Sequence, residues 1–183
     1  MADNTPQPEQ LLREYQIKYP EENASIRATT HFLNVTGQDN PTNNTLVATA
    51  WIFNPHTGKV LLSKNTEQTY SLVNEPLENH GQSTQQAALT AITKSSGLSH
   101  LQLYANELFH LQISLTRSTA KEQFYQYNFC FLMYTHETAE QKVSDHTTIW
   151  VPPSHITTDQ AYRSVYTAAK KWQLFCYEKE TIA

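Results

Sequence analysis

The chain has 183 residues, two cysteines and a formal net charge of −4 at pH 7. That length suits one domain with a tail, and such a domain buries roughly 70% of its unfolded surface without a disulfide or metal staple. The negative balance and the scattered basic residues argue against binding to a phosphate backbone, so no nucleic-acid partner is expected.

Met1 to Gln7 reads as a polar tail. Pro8 to Tyr19 is predicted helical, with Pro8 in the first turn, Leu11, Leu12, Tyr15 and Tyr19 on one face, and Pro20 as the stop. Glu21 to Leu33 is predicted to be a second helix with Ile26, Thr30 and Leu33 inward. Gly37 to Asn44 is a loop by composition. The period then changes. Leu46 to Phe53 and Lys59 to Ser63 are predicted strands of a hairpin closed by the Asn54–Gly58 turn. Tyr70 to Val73 is a short strand. Ser83 is placed to cap a helix from Thr84 to Ser96, with Ala88, Leu89 and Ile92 as its apolar stripe and Gly97 as its end. Leu101 to Leu115 alternates as one or two strands, and Phe124 to Tyr134 carries the strongest strand pattern. Ile149 to Val151 is a short strand before Pro152–Pro153. Asp159 to Tyr177 is the final helix, with Ala161, Val165, Ala168 and Trp172 on one face.

Cys130 and Cys176 are far apart and read as buried or partly buried thiols. No apolar leader and no membrane-length run is present, so no membrane partner is expected and a cytoplasmic location is. The sequons at Asn23, Asn34 and Asn43 then carry no weight.

The segment from Pro76 to Leu98 reads PLENHGQSTQQAALTAITKSSGL. It resembles the box of the Nudix hydrolases: Gly, five residues, Glu, seven residues, then Arg-Glu-apolar-x-Glu-Glu-x-Gly-apolar. Gly97–Leu98 match the closing pair and Ile92 the apolar position. The first Gly falls on Pro76 and the first Glu on Gln82. The Arg-Glu pair falls on Thr90–Ala91 and the Glu-Glu pair on Lys94–Ser95. Packing positions are kept and charged ones replaced. Further likenesses follow in order. Lys59–Leu62 is similar to the family's KVLL strand. Tyr70–Pro76 stands where a bacterial subgroup has WLxPGGH, without its glycines. Gln126-Tyr127-Asn128 stands where that subgroup has His-Tyr-Asp, and Trp150-Val151-Pro152 resembles the lead into the last helix. The resemblance implies an α/β/α sandwich with a mixed sheet, residues 45–183 forming the Nudix-like domain and residues 1–44 a tail and helical extension.

Nudix enzymes direct water at phosphorus while divalent ions neutralise developing charge, and hard ions such as Mg²⁺ need carboxylate oxygens. The helix here offers Gln85, Gln86, Thr90, Thr93, Lys94, Ser95 and Ser96, with no Asp or Glu. The resemblance therefore implies the fold without its chemistry: a degenerate member that binds a nucleotide-like ligand, or acts as a regulatory or interaction module, with no cofactor. The alternative is an active hydrolase of nucleoside diphosphate derivatives that holds Mg²⁺ or Mn²⁺ outside the box. Candidate ligands are then Glu75 and Glu78 with His80, weighed against a solvated acidic loop, and more distantly Glu67 and Glu107. The eight His residues show no helical ligand spacing. Tyr70, Tyr125 and Tyr127, with Tyr104, Phe109 and Trp150, are candidates to line a ligand cleft, although sheet packing accounts for them as well. A homodimer remains an open assembly.

Overall fold

The computed structural model describes residues 7–35, 44–78, 82–117, 123–140, 142–143 and 146–182. The expected tail up to Pro6, the loop from Gly37 to Asn43 and His80 lie outside the described residues.

Helix α1 (Pro8–Lys18) and helix α2 (Asn23–Val35) open the chain. The predicted second helix divides, because Pro20–Glu22 forms a 3-10 turn and the α-helix begins at Asn23. Its buried residues are Ile26, Thr29 and Phe32, while Thr30 is exposed and turns its hydroxyl back to the Ile26 carbonyl. The inward stripe is therefore one residue out from the predicted one at Thr30.

Strands β1 (Thr45–Asn54) and β2 (Lys59–Lys64) form the predicted hairpin. Asn54 Oδ1 accepts from the N–H groups of His56 and Thr57 at 2.9 and 3.2 Å, and Gly58 supplies the left-handed φ of +66° that closes the turn. The predicted Tyr70–Val73 strand splits into β3 (Tyr70–Ser71), which pairs with β2, and β4 (Val73–Pro76), which pairs with β1. Helix α3 (Thr84–Ser96) follows, then the long strands β5 (Gln102–Arg117) and β6 (Gln123–Tyr134), the short β7 (Lys142–Val143), β8 (His146–Val151) and helix α4 (Arg163–Ile182).

The sheet runs β5-β6-β1-β2-β8-β7. The β1–β6 pair is parallel and the others are antiparallel. The first half of β1 pairs with β4 (Ala48↔Glu75, Ala50↔Val73) and its end pairs with β2 (Ile52↔Leu61). Both faces of β1 are buried. Ala48, Ala50 and Ile52 join Phe129, Phe131 and Met133 of β6 against α1, α2 and α3. Trp51, Cys130 and Leu132 face the other way, against Val165, Ala168 and Ala169 of α4. The result is the expected α/β/α sandwich. Helices α1 and α2 are part of its packing: Leu11, Leu12, Tyr15 and Ile26 share one buried cluster with the sheet.

Helix α3 has the limits its sequence signals predict. Ser83 accepts the Gln86 N–H at 3.1 Å, and Gly97 terminates the helix at φ 72°. Replacing Ser83 by alanine leaves that N–H without its side-chain partner. The expected loss is about 1 kcal/mol in chemical denaturation with the folded circular dichroism spectrum unchanged.

Two departures from alternation shape the edge of the sheet. The β5–β6 register shifts between Leu103 and Leu108 and again between Leu108 and His110. Consequently Leu108 and Leu111, three residues apart, both face the α1 side. Phe109 joins the α4-side core, and His110 reaches Thr167 on α4. Helix α4 starts at Arg163 rather than Asp159, because the backbone before it is engaged by β3. Tyr70 N–H donates to the Gln160 carbonyl at 2.8 Å and Tyr162 N–H to the Tyr70 carbonyl at 3.0 Å.

Candidate functional site

The box positions come first. Helix α3 packs Ala87, Ala88 and Ile92 inward. Thr90 is exposed and bonds the Gln86 carbonyl, Ala91 is half-buried, and Lys94 is exposed. Ser95 is buried and its hydroxyl turns to the Ile92 carbonyl at 3.4 Å. Gln82 is exposed ahead of the helix, Pro76 ends β4 opposite Val47, and Gly97 closes the helix. The helix expected at the box is present, and the positions that the resemblance matches to ligands carry hydroxyls, a methyl and an ammonium. A hard divalent ion does not fit that donor set. Glu75 is half-buried on β4 and Glu78 is exposed after it. Among the described residues no three His, Cys, Asp or Glu side chains come together. Glu67 is exposed in the β2–β3 turn, and Glu107 forms an ion pair with Lys18 of α1.

The three tyrosines do not converge. Tyr70 is half-buried on β3, with the Lys64 ammonium 5.9 Å from its ring centre. Tyr125 is 48% exposed on β6. Tyr127 is buried and stacks on Phe32 of α2, with ring centres 4.1 Å apart and planes within 5°. Strands β1 and β2 stand between β6 and β3.

A cleft of about 860 Å³ opens elsewhere, between the end of α1, the edge strand β5 and helix α4. Helix α4 contributes Arg163, Thr167, Lys171, Phe175 and Glu178, spaced about one turn apart along one face. The opposite wall is Lys18, Tyr19, Glu21 and Glu22, and His110 to Ile113 form the floor. A second cavity of about 320 Å³ shares Lys18, Tyr19, Phe175 and Glu178 and adds Tyr104, Phe109 and Leu132.

A polar cluster ties the two walls and the floor together. The Tyr15 hydroxyl donates to Glu22 Oε2 at 2.6 Å and accepts from Lys171 Nζ at 2.6 Å and from the Leu111 N–H at 3.1 Å. Lys171 also donates to Glu22 Oε1 at 2.8 Å. Its ammonium lies 3.4 Å from the Tyr19 ring centre and 4.6 Å from that of Tyr15. Burial pushes the Lys171 pKa below its ordinary value, against the opposing pull of Glu22. Burial and the neighbouring Glu22 carboxylate push the Tyr15 phenol well above its ordinary range.

His110 completes the floor. Thr167 Oγ1 lies 3.3 Å from its Nε2 and 3.0 Å from the carbonyls of Arg163 and Ser164. With the hydroxyl proton on a helix carbonyl, Nε2 carries the imidazole proton and donates to Thr167; the other tautomer would bury an Nδ1–H with no acceptor. The buried Nδ1 is left as a lone pair with no partner. Burial, then the Lys171 charge, lowers the His110 pKa to about 4.

None of Tyr15, Glu22, His110 and Lys171 stood out in the sequence as a site residue. Tyr15 was visible only as part of an apolar helix face. The bonds from Lys171 to Glu22 and Tyr15 span 149 and 156 residues, a separation that leaves no local pattern. Cys130 is buried as expected, its thiol pushed up to about 12 by burial, and Cys176 is half-buried. No described helix is long and apolar enough to cross a membrane.

The sequence matches no protein-family model and no curated protein. Solved structures do match the fold. An E. coli dihydroneopterin triphosphate pyrophosphohydrolase is 13% identical and covers 69% of this chain and 92% of its own, with a TM-score of 0.51. A MutT Nudix hydrolase from Burkholderia pseudomallei is 14% identical, with 70% and 98% covered and a TM-score of 0.51. A C. elegans Ap4A hydrolase, in a binary complex, is 12% identical, with 73% and 98% covered and a TM-score of 0.52. At these identities the likeness is one of architecture, and the architecture of this chain is the Nudix fold.

Proposed function

We propose that this chain uses the Nudix fold as a binding module for a small nucleotide-like molecule, without the metal-dependent diphosphate hydrolysis associated with that fold. The observation that carries this reading is the side-chain chemistry at the box: Thr90, Ala91, Lys94 and Ser95 stand at the positions that need acids and an arginine. A metal site typically supplies several kcal/mol of transition-state stabilisation, and each ~1.4 kcal/mol is tenfold in rate. A chain without those carboxylates forgoes orders of magnitude.

The cleft between α1, β5 and α4 supports the binding half of the reading. Its volume of about 860 Å³ lies in the range of small-molecule sites. Phe175 offers a ring to a planar group, and Arg163 offers a cation to a phosphate.

The test pairs turnover with binding. Nucleoside triphosphates, ADP-sugars and dinucleoside polyphosphates are incubated with the protein at high concentration, with Mg²⁺ and then Mn²⁺. No chelator-sensitive phosphate release is expected. Calorimetry is expected to show binding by at least one of these ligands, weakened about tenfold by Arg163→Ala through loss of one charge-assisted contact. Turnover abolished by chelator overturns the reading and moves the site to Glu75 and Glu78.

A further inference from the structure

The function proposed above leaves Lys171 unused, although its amine lies in the cleft wall between a carboxylate and a phenol. We propose that Lys171 is a covalent-capture residue, whose amine condenses with the aldehyde or ketone group of a small molecule in the cleft to form a Schiff base. The inference uses the same cleft but no phosphate contact, so it stands or falls separately from nucleotide binding.

Schiff-base formation asks three things of a site: an amine that can lose its proton, a proton carrier beside it, and stabilisation of a cationic product. Each has a residue here. Glu22 Oε1, 2.8 Å from Nζ, is placed to accept a proton from the ammonium. The Tyr15 hydroxyl touches both Nζ and Glu22 Oε2, each at 2.6 Å, and links the two as a relay. The lone pair freed on Nζ attacks the carbonyl carbon, and the C=O π pair moves onto oxygen. Glu22 gives its proton to that oxygen and takes one from the nitrogen, directly or through Tyr15, giving the carbinolamine. The proton held on Glu22 then goes to the hydroxyl, water leaves, and the nitrogen lone pair forms C=N. The sum is ammonium plus carbonyl to iminium plus water, with no redox partner and no net change in charge.

That last feature fits the surroundings. The iminium keeps one positive charge beside Glu22 and against the Tyr15 and Tyr19 rings, which already face the ammonium at 4.6 and 3.4 Å. The side chain of Lys171 is 12% exposed, and that exposed part looks into the cleft. Burial also favours the uncharged amine. Lys59, Lys94 and Lys170, by contrast, are exposed.

The experiment uses the native chain and benzaldehyde as probe, at neutral pH, with cyanoborohydride to trap the imine and mass mapping of all nine lysines. Lys171 is expected to label at least about tenfold faster than Lys59, Lys94 and Lys170, because only its amine has a carboxylate and a phenol placed as proton carriers. Equal or slower labelling overturns the proposal and leaves Lys171 as a permanent ion-pair partner of Glu22. A second variant tests the relay. Glu22→Gln removes the carboxylate that favours the charged amine, so a merely electrostatic role predicts faster labelling at Lys171. The relay predicts labelling about tenfold slower, and faster labelling rejects it.

Discussion

Replacing Leu11 by alanine is expected to destabilise the whole chain by about 3 kcal/mol, although Leu11 lies in the N-terminal extension. Leu11 is fully buried and belongs to the same cluster as Phe129 and Phe131 in the middle of the sheet. Truncation leaves a cavity between α1 and β5–β6, and the backbone there has little freedom to collapse into it. Tyr15 is tied to Leu111, Glu22 and Lys171, and Phe32 is stacked on Tyr127. In a domain of this size about 3 kcal/mol corresponds to roughly 6 to 12 °C in Tm. One cooperative transition moved as a unit is the expected result. An extension that merely decorated the domain would give a separate early transition and leave the main midpoint unmoved. Ile17→Ala on the same helix is the control: Ile17 is 84% exposed, and its loss should change stability by less than about 0.5 kcal/mol.

The contrast between α3 and the cleft explains how much could be read in advance. The ends of α3 are set by contacts a few residues apart, Ser83 to Gln86 at the start and the left-handed Gly97 at the end. Local chemistry of that kind is written in the sequence. The same holds for β1, β2 and β6, whose apolar residues suit a sheet buried on both faces. Beta-strand alternation failed at Phe109 and His110, because the register shifts in β5 depend on what β6 places opposite. Helical periodicity ran too far before Arg163, where hydrogen bonds with the backbone of Tyr70 hold Gln160 and Tyr162 out of the helix. Tyr70, Tyr125 and Tyr127 do not converge for a related reason. Their side-chain type suits a ligand, but their neighbours decide, and Tyr127 has Phe32 from a helix almost a hundred residues earlier. The wall of the cleft lay beyond local reading altogether, since the carboxylate, phenol and ammonium come from opposite ends of the chain.

Acidification from pH 6.5 to pH 4 is expected to remove roughly 3 kcal/mol of stability through His110 alone, by the linkage of its shifted pKa. In the folded chain His110 titrates at about 4, against 6.5 for an unperturbed imidazole. Burial is the main cause, followed by the charge of Lys171 on α4, with Glu22 of the 3-10 turn opposing them. The tautomer adds a reason of its own. With Nε2–H donating to Thr167, a second proton must go on Nδ1, which is buried with no acceptor. Within this window the unfolded chain binds a proton that the folded chain refuses, so stability falls as pH falls. Above about pH 7.5 both states are neutral at this position and the contribution is flat. The measurement is urea unfolding at several pH values, in wild type and in His110→Leu, which cannot titrate and leaves Thr167 with its carbonyl partners. The difference between the two curves should be constant above about pH 7.5 and change by roughly 3 kcal/mol toward pH 4, while parallel curves throughout would show that His110 takes up its proton in the folded state. The cleft gives this acid sensitivity a functional reading. An anionic group brought against His110 would raise its pKa and oppose Lys171, so such a ligand should bind more tightly as the pH falls through the same window.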